Sequence, residues 1–298
     1  KIMLSALNKF KKNIFSQYGD DGIIEEIFHR LENKVNLNKT FCEFGAWDGI
    51  HLSNTFNLYK NKKFKGVLIE PDNLRFKQLC KNIPDKKIIK INSFVTFEGS
   101  GTLENILKAR YIDSNIDFIS IDVDGCDYYI FETLQNLEAK IICVEFNPTI
   151  PNEVEFIQEK NFSLKQGCSP LSLKKLGEKM GYDLIASTHN NLFFSKKNLT
   201  DYIVDNKPSL DELRDDSSIK NYIFYGYDGS VLNSKLIELP WHRVTKKNIN
   251  ILPNFLRKYP SDYNNLQKIC FYLLKFFNKP KKYLVNLKKY LLLFFSKF

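Results

Sequence analysis

Nowhere in this 298-residue sequence do about 18 uncharged apolar residues run together, so no segment is expected to span a membrane. No C-x-x-C pair occurs. The six cysteines (Cys42, Cys80, Cys126, Cys143, Cys168 and Cys270) are widely spaced and mostly sit in apolar runs, which indicates buried thiols in a reducing compartment rather than a disulfide framework or a zinc centre. The start, Lys1-Ile-Met-Leu-Ser5, has no apolar core of signal-peptide length before Lys9, Lys11 and Lys12, and no initiator Met, as in a trimmed start. Glycine (13) and proline (10) are few, while 43% of residues are hydrophobic and 14% aromatic. That composition excludes disorder over most of the chain and suits one large α/β domain, or a domain with an appendage.

Charge of one sign is missing from the carboxyl-terminal end. From Tyr263 to Phe298 there are eight lysines and no Asp, Glu or Arg. Of the chain's 44 basic and 34 acidic residues, 36 basic and all 34 acidic ones precede position 263, so the net +10 shrinks to +2 over the first 262 residues. A near-neutral body lacks the distributed Lys and Arg needed to track phosphates, and no nucleic-acid partner is expected.

Short apolar runs alternate with amphipathic stretches, the pattern of βαβ units around a parallel sheet. Strands are predicted at Thr40–Phe44, Lys65–Ile69, Lys87–Ile91, Phe118–Ile121, Ile141–Phe146, Tyr182–Ser187 and Leu192–Ser195. Helices are predicted at Ser16–Asn33, Leu52–Lys60, Arg75–Asn82, Thr102–Lys108, Tyr128–Leu137 and Leu171–Met180. Only Thr188-His-Asn-Asn191 separates the last two strands, which suits an antiparallel hairpin at a sheet edge. The expected fold is a doubly wound, seven-stranded, mostly parallel sheet within residues 1–200. Accessory strands and loops follow in 201–262, including Tyr222–Tyr227 and Ser230–Ile237 joined at Asp228-Gly229. A basic tail of two amphipathic helices, broken at Asn278-Lys-Pro280, occupies 263–298.

The first strand runs into Phe41-Cys-Glu-Phe-Gly-Ala-Trp-Asp-Gly49, with a helix beyond it. Glycines there let the backbone turn sharply and approach a ligand. The run lacks the G-x-G-x-x-G fingerprint, so its spacing alone is weak evidence, and a tight βα turn with no ligand is the alternative. The second strand ends in Glu70, about 25 residues on, where a carboxylate can accept the ribose hydroxyls of an adenosine. Asp122, Asp124 and Asp127 follow the fourth strand, and Glu145 and Asn147 end the fifth. The carboxyl ends of neighbouring parallel strands converge, and crowded carboxylates call for a cation or a proton; hard oxygen ligands favour magnesium, manganese or calcium. Gly125 falls three positions after Asp122, not five, which excludes an EF-hand. The competing reading has Asp122 capping the next helix and Glu145 paired with a cation.

Glu43-Phe-Gly-Ala-x-Asp-Gly49, Ile69-Glu-Pro71, Ile91-Asn-Ser93 and Ser120-Ile-Asp-Val-Asp-Gly125 together resemble an S-adenosylmethionine (SAM)-dependent methyltransferase of the FkbM-like group, over about residues 16–197. The resemblance implies a Rossmann-like class I methyltransferase core. It places Glu43 and Gly45 at the methionine moiety, Asp48 and Gly49 beside it, Glu70 on the ribose and Ser93 with Phe94 against the adenine, with Ala46, Pro71 and Asp122 also among the cofactor contacts. Ser16-Gln-Tyr-Gly-Asp-Asp-Gly22 resembles the group's entry segment, and reads equally as a helix N-cap with Asp20 and Asp21 on the dipole. The acids after strands four and five are similar to the metal site of catechol-type O-methyltransferases, with Glu145-Phe-Asn147 in place of adjacent ligands. The implied metal set is Asp122, Asp124, Glu145 and Asn147.

Of the four histidines, His51 and His189 fall on loops near the expected crevice and are candidate general bases beside Asp122. An ordinary hydrogen-bonded loop histidine is the alternative for each. In the tail, Lys281, Lys282, Lys288 and Lys289 oppose Leu284, Leu287 and Leu291, as in a helix lying on an anionic membrane surface. The same stripe also suits packing on the domain or an oligomer contact. The resulting expectation is a cytoplasmic SAM-dependent O-methyltransferase, peripheral to the inner face of the membrane. Its acceptor would be a sugar hydroxyl on a nucleotide-linked sugar or a capsule or lipopolysaccharide precursor, with magnesium or manganese assisting. A nucleic-acid methyltransferase and a non-catalytic glycan-assembly protein are the alternatives.

Overall fold

Alternation along β1 (Thr40–Phe44) sends Phe41 to one side of the sheet and Cys42 and Phe44 to the other, and each side meets its own hydrophobic cluster. The computed structural model in which this is seen describes residues 6–137 and 139–280. The same alternation holds in β4 (Phe118–Ile121) and β5 (Ile141–Glu145), where Phe118, Ile141 and Cys143 face one cluster and Ile119, Ile121, Ile142 and Val144 the other. Both faces are covered, which is why these strands read as unbroken apolar runs. Each such side chain contributes about 1.5–3 kcal/mol by leaving water.

With β2 (Lys65–Ile69), β3 (Ile88–Ile91), β6 (Tyr182–Ser187) and β7 (Asn191–Lys196), the strands form one sheet of order β3-β2-β1-β4-β5-β7-β6. β7 alone runs antiparallel, between β5 and β6. This is the doubly wound, Rossmann-like sheet expected from the sequence, with the hairpin inserting its second strand inside the edge. One face carries α1 (Asp20–Leu31), α2 (Phe56–Lys62) and α3 (Asn73–Asn82). The other carries α4 (Leu103–Lys108), α5 (Asp127–Glu132) and α6 (Pro170–Lys179). Two short helices follow, α7 (Thr200–Ile203) against the α1 side, through Ile203, and α8 (Leu210–Leu213) against the α4 side.

Two helices start later than their apolar periodicity predicts. α1 begins at Asp20 rather than Ser16, because Gly19 sits at φ +95° and the preceding residues turn back onto Asp21, whose Oδ2 accepts N–H groups of Ile14, Phe15 and Ser16 at 2.7–2.8 Å. α2 begins at Phe56 rather than Leu52, since Leu52 is at φ +56° and Ser53–Thr55 fold onto Glu43.

The chain divides into two compact units, Lys1–Ile219 and Lys220–Phe298. In the second, β8 (Ile223–Tyr225) and β9 (Val231–Asn233) form the hairpin signalled by Asp228-Gly229, with Gly229 at φ +79°. The run expected as one strand to Ile237 breaks after Asn233, and β10 (Ile237–Leu239) pairs instead with β11 (Val244–Lys246). α9 (Asn265–Asn278) is the first of the two tail helices expected; the second, at 281–298, lies outside the described residues. No helix among the described residues is long and apolar enough to cross a membrane.

Candidate functional site

Strand order reverses between β1 and β4, and at the carboxyl ends of these strands lies a crevice of about 370 Å³. Gly45 makes it by its backbone. It sits at φ +76°, and a Cβ there would lie 1.9 Å from the carbonyl oxygen of Asp122, so only glycine lets the turn after β1 pass the chain leaving β4. The turn is then tied to β2: Trp47 N–H donates to Glu70 Oε2 and Asp72 N–H to Glu70 Oε1, both at 2.8 Å. Asp72 in turn caps α3 by accepting from the N–H groups of Leu74 and Arg75. Each Glu70 oxygen therefore keeps acceptor capacity for a ligand.

Glu43, Gly45, Ala46, Glu70, Pro71, Ser93, Phe94 and Asp122 all line this crevice. Phe94 is half exposed, its ring edge-on to Phe162 at 4.8 Å, which leaves a face free for a flat group. Glu43 is differently employed. Its buried carboxylate accepts from Ser53 Oγ and Thr55 Oγ1 at 2.7 Å and from Asn54 N–H at 2.8 Å, and so clamps the loop that forms one wall. Burial raises its pKa against the pull of those three donors. Asp48 and Gly49 lie in the turn rather than on the wall. Asp48 Oδ1 accepts from Ile50 and His51 N–H groups, and a Cβ on Gly49 would meet Leu79 at 2.4 Å, so this glycine answers to packing on α3.

Three carboxylates converge at the other end. Asp122, Asp127 and Glu145 each place an oxygen within 4.8 Å of the other two. Asp127 holds the loop after β4, accepting from Val123 N–H at 2.8 Å and Gly125 N–H at 2.9 Å. Asp122 and Glu145 crowd one another, so each disfavours ionisation of the other unless a proton or a cation offsets the repulsion. Burial lifts Asp122 to about 6 and Asp127 to about 7, the charge of Asp122 adding to the second. Glu145 is pushed well above the carboxylate range by burial and by both aspartates.

The β6–β7 tip supplies a further oxygen. Asn190 is buried, its C=O accepts from Phe146 N–H at 2.8 Å, its Nδ2 donates to Glu145 Oε1 at 3.2 Å, and its Oδ1 has no partner among the described residues. A half-turn about Cβ–Cγ exchanges the two ends of the amide, so an oxygen can face the acids. Hard oxygen donors in this number, with a buried orphan acceptor beside them, fit a divalent ion. The other residues expected in a metal set sit apart from this group. Asp124 is exposed on the crevice wall at φ +56°, and Asn147 is engaged with Gln166 C=O, Thr149 N–H and Thr149 Oγ1.

His51 lines the crevice, its ring 5.5 Å from that of Trp47. His189 lies on the hairpin tip outside it, 4.6 Å from the ring of Tyr18, with its pKa lowered by burial and by Arg214 and Lys11. Sequence reasoning passed over Asn54, Arg75 and Asn190. Arg75 lies 4.1 Å over the Trp47 ring on the crevice wall. Asn54 reaches Ser120 Oγ at 3.1 Å, while its own Oδ1 is buried without a partner among the described residues. Only the neighbouring Thr188-His-Asn-Asn191 turn signal hinted that a polar pair would meet the end of β5.

No protein-family model matches the sequence. No curated protein matches it either. Among solved structures, similarity extends to TrmK of M. capricolum in complex with S-adenosyl-homocysteine (16% identity, TM-score 0.35, covering 57% of this chain and 67% of that one). It extends to the CurJ carbon methyltransferase (9%, 0.39, 61% and 56%) and to an S-adenosylmethionine-dependent methyltransferase from Clostridium acetobutylicum (7%, 0.38, 60% and 90%). The strand order and its parallel pairing, rather than these similarities, carry the assignment of the first unit to the Rossmann-like doubly wound sheets.

Proposed function

We propose that this chain is a cytoplasmic SAM-dependent methyltransferase that acts on a hydroxyl, carried by a nucleotide-linked sugar or a surface-glycan precursor. The observation that carries the reading is one crevice with two chemically distinct ends. Glu70 and Phe94 offer a ribose-accepting carboxylate and a flat apolar face, while Asp122 and Glu145 gather half-buried carboxylate oxygens at the other end. The FkbM-like motifs of the sequence support the same reading.

When bound, the cofactor supplies an electrophilic methyl group on a sulfonium. Glu70 accepts the ribose hydroxyls with the lone pairs that Trp47 and Asp72 leave free, and the Glu43 clamp keeps the wall in place. Asp122 and Glu145, joined by Asn190, are the residues that would hold magnesium or manganese, which would supply Lewis acidity towards the acceptor oxygen. His51, which lines the crevice, is the candidate to receive the hydroxyl proton. Sugar acceptors and O-methylation are drawn from the sequence resemblance together with the oxygen-rich acid end.

Calorimetry with SAM on the full chain tests the first step, and absence of measurable binding sinks the reading. A screen of nucleotide sugars for a SAM-dependent mass gain of one methyl tests the acceptor. Turnover that persists in EDTA would refute the metal.

A further inference from the structure

α9 presents an apolar face that nothing among the described residues covers. The helix is well defined at its start by a capping box, in which Asn264 Oδ1 accepts from Gln267 N–H at 2.9 Å and Gln267 Oε1 accepts from Asn264 N–H at 3.0 Å. One side is anchored within its own unit. Gln267 is buried and donates to Phe255 C=O at 2.6 Å, and the Phe271 ring packs edge-on to Tyr263 at 5.3 Å. Leu266, Ile269, Leu273 and Phe277 instead recur at i, i+3, i+7 and i+11 and are all more than half exposed, Leu266 at 69% and Phe277 at 76%. Lys268 and Lys275 fall roughly 150° from that stripe at about 100° per residue, and Lys279 follows directly after the helix. This is the section of a helix that lies in a membrane interface.

The charge of the surrounding sequence selects the occupant. From Tyr263 to Phe298 eight lysines stand with no acid. A second copy would bring together two segments that carry eight lysines each and no acid of their own. A spanning role is closed to α9, which has 14 residues and carries Lys268 and Lys275. An anionic bilayer offers hydrocarbon to the stripe and a negative surface potential to the lysines.

We infer that α9, with the basic sequence after it, docks this protein on an anionic membrane surface, Leu266, Ile269, Leu273 and Phe277 entering the headgroup–acyl boundary. This attachment is independent of the chemistry proposed for the crevice.

The test is flotation of the full chain with vesicles of phosphatidylcholine alone and of phosphatidylcholine with one-third phosphatidylglycerol. Binding is expected to the anionic vesicles only, and to weaken as salt shortens the screening length from about 10 Å at 0.1 M towards 3 Å at 1 M. The paired variant Leu273→Asp with Phe277→Asp alters only exposed side chains and is expected to lower partitioning more than about tenfold while the thermal midpoint holds. Lys268→Glu with Lys275→Glu, on the other side of the helix, is expected to lower it on the order of tenfold at low salt. Equal binding of wild type and both variants overturns the inference, and so does absence of binding to anionic vesicles. A dimer seen by sedimentation velocity and abolished by the apolar variant, without vesicle binding, would assign the face to a second copy instead.

Discussion

The backbone N–H of Trp47 donates to Oε2 of Glu70 at 2.8 Å, so the residue that ends β2 also fixes the turn that leaves β1. One carboxylate thereby shapes the crevice and faces into it. Glu70→Gln keeps one accepting oxygen but turns an amide donor towards the N–H of Trp47 or Asp72, and it removes lone pairs needed by a ribose. The expected outcome is SAM affinity lowered by about ten- to a hundredfold, roughly 1.4–2.8 kcal/mol by calorimetry, with a small fall in thermal midpoint.

Gly45→Ala is expected to destabilise by more than about 1–3 kcal/mol, because strained left-handed backbone is compounded by a Cβ driven against the Asp122 carbonyl. Denaturant unfolding measures this. A loss as small as that of a surface substitution would show that the turn after β1 can move away from β4.

Glu145→Gln separates stability from chemistry. The amide still accepts from Asn190 and removes one of three crowded carboxyls, so the thermal midpoint is expected to stay or rise. Methyl transfer is expected to fall on the order of a hundredfold or more. Manganese binding by the full chain, followed by electron paramagnetic resonance, should weaken in parallel. Full activity in this variant would remove Glu145 from the proposed machinery.

Asp20 gives the chain an unusual pH dependence. It is wholly buried, accepting from Thr188 Oγ1 at 2.7 Å and Asn191 Nδ2 at 3.3 Å, and burial raises its pKa from 3.8 to about 7. The folded state then binds a proton that the unfolded chain has already released, so this group favours folding below pH 4 and loses that contribution as pH rises to about 7. Asp20→Asn is expected to flatten the decline of thermal midpoint between pH 4 and 8 and to raise stability at pH 8. An unchanged pH profile would show that Asp20 is ionised in the folded protein.

Much of the sheet was legible because a parallel sheet covered on both sides writes itself as apolar runs of strand length, as in Ile141-Ile-Cys-Val. The glycine after β1 and the acid after β2 were legible too, since each serves a local backbone need at a strand end. The starts of α1 and α2 were not. Periodicity carries on through Ser16 and Leu52, and only the hydrogen bonds reaching Asp21 and Glu43 from residues outside the helices end it.

What the sequence determined by itself was the order of strands and helices, the position of the crevice-forming turn and the separation of a near-neutral body from a lysine-only tail, since all three follow from residue type and local spacing. The grouping of the acids was decided by tertiary structure. Asp122, Asp127, Glu145 and Asn190 come from the ends of β4 and β5, the start of α5 and a hairpin tip, and which oxygens meet depends on strand register and side-chain direction. Asp124 and Asn147 have the same chemistry at neighbouring positions, yet a left-handed backbone exposes the first and a local turn engages the second. Residue type states which atoms can bind; only packing across the sheet brings them within a few ångströms of one another.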